Sequence, residues 1–244
     1  SSKSIQPILN AKQVAEKIMR DLNEASLLLK DDRIIKEGVM NGMADDPNEK
    51  TLLRYRQFRL NYYAIQAMKA RLYLWTGDKA NALATAKGII EENNKHNTFT
   101  WIEKKAVTTG NNPNYIFSTE VMFALYNKSR AKTYEMLFSP KADMKNTLYF
   151  KGESTAEGDL LSKLTYFDMG DLRRNNTWTV EELTANGQGG TTSKHKSICL
   201  KKFADTNGDT NFRYMQPLMR LSEIYLIAAE CATTPEEALP FINE

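Results

Sequence analysis

Cysteine is scarce: only Cys199 and Cys231 occur in 244 residues, and they do not form a CxxC pair. That is too few for a disulfide framework, and both are expected to be small buried thiols. Histidine is equally sparse. His96 and His195 sit in polar sequence with no cysteine or carboxylate at ligand spacing, so no metal site is expected through them. Charge of one sign is lacking too. Lys plus Arg total 33 against 30 Asp plus Glu, a net +3, without the basic face that a nucleic-acid binder needs. The densest basic cluster, Arg54-Tyr-Arg56-Gln-Phe-Arg59, is spread around the axis by helical spacing and does not form a phosphate cradle. Long apolar runs are missing. Val121–Tyr126 and Ile224–Ala229 reach six residues each, whereas a membrane-spanning helix needs about 20. The start, Ser1-Ser-Lys-Ser, carries no apolar signal core and no lipidation cysteine, so it names no compartment.

What remains is the composition of a globular chain, 41% hydrophobic and 26% charged with 12 Gly and 7 Pro. At this length folding buries roughly 70–75% of the unfolded surface, enough for a core without staples. Helical patterns dominate both ends. Asn10 with Gln13 three residues later reads as a capping box, and Val14, Ile18, Leu22, Ala25 and Leu29 then make one apolar stripe over 11–29. Gly38, Gly42 and Asp45-Asp-Pro47-Asn form a loop. A second helical stretch is predicted over 51–75 and a third over 79–93, with Gly77 at the break, so the two make an antiparallel hairpin.

Ala70-x2-Tyr73-x3-Gly77-x4-Ala82 has the small–aromatic–glycine–small spacing of a tetratricopeptide unit, in degenerate form. Ala70 and Ala82 are predicted at the tight crossing, and Tyr73 and Trp75 in the core. Leu218, Leu221, Tyr225 and Ala229 predict a helix over 218–232, and Thr233-Thr-Pro235 starts another that is expected to continue into further native sequence. The reading is one domain, with a helical scaffold over about 11–94 and 217–244 and an irregular insertion over about 95–216. Within the insertion Ile116–Tyr126 reads as a strand or short helix. Asn207-Gly208 reads as a hairpin turn between Ile198–Phe203 and Asn211–Tyr214.

Four segments in order resemble the RagB/SusD family. They are Ala70-Arg71-Leu-Tyr-Leu-Trp-Thr-Gly77-Asp78 with the helix before it, Ser118-Thr-Glu120-Val-Met-Phe-Ala-Leu125, Asp171-Leu-Arg173, and Pro217-Leu-Met-Arg220-Leu-Ser-Glu223-Ile-Tyr-Leu-Ile-Ala-Ala-Glu230. The chain is about half the usual family length. The resemblance implies a mainly α fold, a SusD-like tetratricopeptide scaffold with a long irregular insertion containing short strands. It also implies a non-enzymatic outer-membrane lipoprotein that binds glycan or nutrient and serves a SusC-like TonB-dependent transporter. The lipid anchor would lie outside this chain, and no cofactor is expected.

The chemistry agrees with binding. No GxSxG, HExxH or GxxxxGK[ST] occurs. Gly187-Gln-Gly189-Gly190 lacks the strand-to-helix context of a dinucleotide fingerprint. Asp205-Thr-Asn207-Gly-Asp209 has oxygens at the first three ligand positions of a calcium loop. Its glycine comes too early, and Gln216 stands where a bidentate Glu belongs. Glu91-Glu92 and Glu236-Glu237 diverge about 100° around a helix and cannot flank one glycosidic bond. Asp168-x2-Asp171-x-Arg173-Arg174 reads as an ion pair pinning a loop. Aromatics are more telling. Trp101, Tyr115, Tyr126, Tyr134, Tyr149, Tyr166 and Trp178 fall in or near the insertion, and rings suit stacking on sugar faces as well as burial. If the family reading holds, Tyr134 and Tyr149 are the expected platforms, with Trp178 third. The alternative is a tetratricopeptide-type protein-interaction scaffold, for which so long an insertion has no use. A third reading, an α-helical glycoside hydrolase, needs two facing carboxylates.

Overall fold

The computed structural model describes residues 8–42, 53–108, 110, 112–139, 148–151, 177–186, 192–206, 208 and 210–243. The chain divides into two compact units. One comprises 1–100, 120–124 and 217–244, the other 101–119 and 125–216.

The first unit is helical. Helix α1 (Ala11–Leu28) opens on the predicted capping box: Asn10 Oδ1 accepts from Gln13 N at 2.9 Å, and Gln13 Oε1 accepts from Asn10 N at 3.1 Å. Its inward face follows the predicted stripe at Leu22, Ala25 and Leu29 and departs from it in the first two turns. Leu22 is buried, but Val14 and Ile18 are exposed, and Ala15 and Met19 are the covered positions one residue on. A short α2 (Ile34–Glu37) follows.

The predicted helix over 51–75 starts later than its composition suggests. Tyr55 is left-handed (φ 52°), Arg56–Phe58 is a single 3-10 turn, and α3 runs Tyr62–Trp75. Asn61 sets that start. Its Oδ1 accepts from Ala64 N at 2.9 Å, while its Nδ2 donates to the carbonyls of Arg56 (2.9 Å), Arg59 (3.2 Å) and Met122 (2.9 Å). A cap wired to a carbonyl 61 residues away fixes the boundary against local helix preference. The arginines here are spent on the scaffold: Arg56 meets the buried Asp32 carboxylate at 2.7 Å, and Arg54 Nε donates to Gly42 O at 2.8 Å.

Gly77 takes φ 81° at the turn, and Asp78 caps α4 (Lys79–His96) by accepting from Asn81 N. Ala64, Ala67, Ala70, Ala82 and Ala86 are all buried, the last four in one core cluster. The last predicted helix is shorter than the pattern suggests. Leu218 lies in strand β5 (Met215–Arg220), and the helix is α7 (Leu221–Cys231), followed by α8 (Pro235–Ile242) with Thr234 as N-cap and Pro235 in its first turn. A continuous buried cluster joins Ile34, Tyr63, Ile89, Phe99, Met122, Leu221 and Ile224. Burial pushes the Tyr63 phenol up to about 12, although Thr98 accepts or donates a hydrogen bond to it at 3.2 Å. Cys231 and, in the other unit, Cys199 are both buried, and neither is in a disulfide.

Strand β1 (Val121–Tyr126) follows a 3-10 turn at Ser118–Glu120 and pairs with β5 (Met215–Arg220) in a two-stranded sheet. The second unit also holds α5 (Lys104–Thr108), α6 (Arg130–Leu137) and a three-stranded antiparallel sheet. That sheet contains β2 (Tyr149–Lys151), β3 (Trp178–Asn186) and β4 (Thr192–Leu200) in the order β2-β4-β3.

The hairpin predicted across Asn207-Gly208 does not form. The strand that should have entered it, β4, is central and has both edges taken, by β2 and β3, while 211–214 is turn. The mainly α, tetratricopeptide-like scaffold carrying short strands in its insertion is the architecture found.

Candidate binding site

In the second unit Arg130, the first residue of α6, is the organising side chain. It is 2% exposed, and its guanidinium donates to the carbonyls of Phe212 (3.1 Å), Met215 (3.2 Å) and Ala204 (3.4 Å). Burial lowers its pKa, against the field of Asp205. An arginine keeps its charge regardless, and its rigid fork suits a fan of carbonyls better than an ammonium would. Ala204, Phe212 and Met215 are therefore gathered around one cation. Asp205 turns instead to Arg213, whose Nε and Nη2 donate to its two oxygens at 3.0 and 2.9 Å, and this pairing lowers the Asp205 pKa. The first position of the calcium-like loop is thus held by an ion pair. Asn207 and Asp209 lie outside the described residues.

A pocket of about 370 Å³ opens beside this segment, lined by Glu103, Lys105, Ala106, Asn112, Asn114 and Phe212. Asn114 is buried and locked by Ser118, donating to its Oγ at 2.7 Å and accepting from its amide at 3.1 Å. Asn112 packs over Gly208: a Cβ at residue 208 would come within 2.5 Å of Asn112 Nδ2. Of these residues the sequence singles out Gly208 alone, as a turn glycine. Asn112 and Gly208 are far apart in the chain, and no motif links them.

The expected platforms fall on this unit. Tyr134 is half-buried on α6; Tyr149 opens β2 opposite Cys199, and the Tyr149 side chain lies outside what is described. Trp178 opens β3 opposite Leu200 and is half-buried. Tyr149 and Trp178 therefore share one sheet, as partners of adjacent residues on β4. Leu148 N donates to Leu137 O, tying the end of the Tyr134 helix to the residue before β2. Among the other aromatics, Tyr126 is exposed and meets Tyr214 edge-on at 5.4 Å, and burial raises the Tyr115 phenol. Tyr166 and the stretch Asp168–Arg174 lie outside the described residues, as does 187–191.

On the first unit, Trp75 departs from its predicted place in the core. It is 80% exposed, because Leu74 and Tyr73 take the inward positions at the end of α3. Its indole borders a groove of about 530 Å³ with Ala11, Ala15, Glu16 and Met19 of α1. Among the described residues no three His, Cys, Asp or Glu side chains converge as metal ligands, and no helix is long and apolar enough to cross a membrane.

The chain belongs to the SusD family, whose profile matches residues 71–238. A SusD superfamily protein from Bacteroides thetaiotaomicron shares the fold over 100% of this chain and 48% of its own, with a TM-score of 0.60 and 22% identity. A second, from Bacteroides vulgatus, gives 0.60 and 21% over 100% and 48%. A SusD-like carbohydrate binding protein, also from Bacteroides vulgatus, gives 0.57 and 15% over 100% and 45%. The chain spans about half the length of these structures. No curated protein matches its sequence.

Proposed function

We propose that this chain is part of a non-enzymatic cell-surface protein that binds a glycan or other nutrient and passes it to a SusC-like TonB-dependent outer-membrane transporter. Membership of the SusD family across residues 71–238 carries the reading. The name of one relative of the same fold, a SusD-like carbohydrate binding protein, supports the ligand class. The full-length protein would sit on the outer membrane through a lipid anchor outside this chain. It needs no cofactor and works by binding alone. The scaffold (about 11–94 and 217–244) and the insertion (about 95–216) act as one SusD-like domain, the first as frame and the second as the ligand-facing part.

Within the insertion Tyr134, Tyr149 and Trp178 are the proposed platforms. Ring stacking on a flat ligand face contributes about 1–3 kcal/mol by analogy with base–aromatic stacking, or roughly 5- to 150-fold in affinity. The test is a glycan array followed by calorimetric titration of Tyr134→Ala, Tyr149→Ala and Trp178→Ala. Weaker binding at an unchanged melting temperature is expected. Normal affinity in all three removes these rings from the site, and no binding of any glycan or nutrient by the unsubstituted chain or its full-length parent sinks the functional reading.

A further inference from the structure

Helix α6 carries Tyr134, and the helix alone does not account for where it sits. Its 8 residues are too few to hold a helix in water, where isolated helices shorter than about 12–15 residues are marginal. No side chain caps its start, since Ser129 makes no capping hydrogen bond. Lys132, Thr133, Glu135 and Met136 are exposed, and Arg130 is its one buried residue. A cation in the first turn of a helix also opposes the helix dipole. Arg130 therefore serves something other than the helix it begins.

What it serves is the chain beyond β4. Its guanidinium donates to the carbonyls of Phe212 at 3.1 Å, Met215 at 3.2 Å and Ala204 at 3.4 Å. The other end of α6 is fastened too. Leu137 O accepts from Leu148 N, and the Phe138 ring centre lies 6.1 Å from that of Phe203. Phe203 and Ala204 are consecutive, so both fastenings return to one turn of chain just after β4. Tyr134 lies between them, four residues from Arg130 and four from Phe138, on the same side of the helix. It is half-buried. The position of its ring is set by where the two fastenings hold α6.

We infer that Arg130 is a positioning residue for the Tyr134 platform: by gathering the carbonyls of Ala204, Phe212 and Met215 it fixes where the ring meets ligand, without touching ligand itself. At 2% exposure it has no ligand-facing surface of its own. A lysine at 130 keeps the charge but loses the planar fork, and one ammonium does not span the three oxygens. Arg130→Lys should therefore displace α6 in a chain that still folds. The inference rests on the proposed ligand-binding role of Tyr134.

The experiment is a double-mutant cycle. Arg130→Lys and Tyr134→Ala, singly and together, are titrated with neutral oligosaccharides built on glucose, mannose, galactose and xylose. In parallel, fluorine nuclear magnetic resonance reads a fluorotyrosine placed at residue 134, with no ligand needed. Arg130→Lys should weaken binding at least about threefold when Tyr134 is present and less than about 1.5-fold when it is Ala. It should also move the fluorine signal. A role confined to stability would weaken binding equally in both backgrounds or in neither, and either result overturns the inference. So does an unmoved fluorine signal in folded Arg130→Lys. Normal binding by Tyr134→Ala removes the platform, and the inference with it, while leaving the glycan reading intact. If no probe binds, the glycan reading falls, and the fluorine signal alone decides whether Arg130 positions the ring. Should Arg130→Lys fail to fold, fluorotyrosines at 134 and 214 in the parent chain decide under urea: one common midpoint supports the link, and separate midpoints break it.

Discussion

Arg130 shows how much one side chain can organise when its charge is used on carbonyls. Three backbone oxygens from Ala204, Phe212 and Met215 converge on it, and its Nε is buried with no hydrogen-bond partner among the described residues. Arg130→Met keeps the bulk and removes every donor. Each buried carbonyl left alone costs about 1–3 kcal/mol, partly relieved by solvent entry, so a loss of about 3 kcal/mol is expected from urea unfolding. Arg130→Lys should recover part of it, since one ammonium cannot reach all three oxygens. A change under about 0.5 kcal/mol for Arg130→Met, the range of ordinary surface substitutions, would contradict the assignment. Packing obeys the same logic at Ala82 of α4, which is 0% exposed in the core cluster that also holds Ala70 of α3. Ala82→Leu should overpack that crossing by about 1–3 kcal/mol, read as a lowered melting temperature. Trp75→Ala, on an exposed ring, should change stability by only a few tenths.

Among the elements, those whose signals are local were legible in the sequence. Asn10 with Gln13 and Thr234 with Pro235 act within one turn, and both helices start where the residues say. The start of α3 was not legible, because Asn61 looks like any polar residue in a helix-rich stretch until Met122 O is known to lie above it. Asn207-Gly208 misled for the opposite reason. Its local turn signal is strong, but β4 had already given both edges to β2 and β3. Trp75 and the first half of the α1 stripe depart from their expected places: Leu74 takes the inward position beside Trp75, and Ala15 and Met19 are covered in place of Val14 and Ile18. The family motifs turn out to hold the scaffold together. Arg71, from the helix ahead of the glycine turn, grips Glu223 of α7 through two hydrogen bonds of 2.7 Å and also donates to Leu218 O at 3.0 Å. That bidentate pair joins the first and last of the four segments that carried the resemblance. What the motifs do not reach is the insertion's pocket, where Asn112 and Gly208 meet through tertiary packing alone.

For the whole molecule, carboxylates held below their ordinary range make stability fall in acid. Glu37 is lowered mainly by its hydrogen bonds from Arg33, Asp205 by those from Arg213, and Glu237 to about 2 by Lys87 and then by the amide and hydroxyl of Thr233. The sign follows from linkage. A carboxyl whose folded pKa lies below its unfolded value stabilises the fold fully above the unfolded value, and the gain is lost as protons bind on the way down to the folded one. For Glu237 that window runs from 4.5 to about 2. Glu37 and Glu237 belong to the first unit and Asp205 to the second, so both units should weaken over the same acid range. Urea midpoints should therefore be flat from neutral pH to about 5 and fall steadily below. Lys87→Met keeps the aliphatic stem while removing the ammonium that meets Glu237 Oε1 at 2.7 Å and lies 5.9 Å from the Phe241 ring centre. It should lower the neutral-pH midpoint slightly and flatten the acid fall, because Glu237 then titrates nearer its unfolded value in the folded state. Added salt should shrink the difference between Lys87→Met and the parent chain, since this pair is partly open to solvent. A pH profile of Lys87→Met parallel to that of the parent would show that Glu237 is not held down by Lys87, and the acid sensitivity would then have to come from other groups.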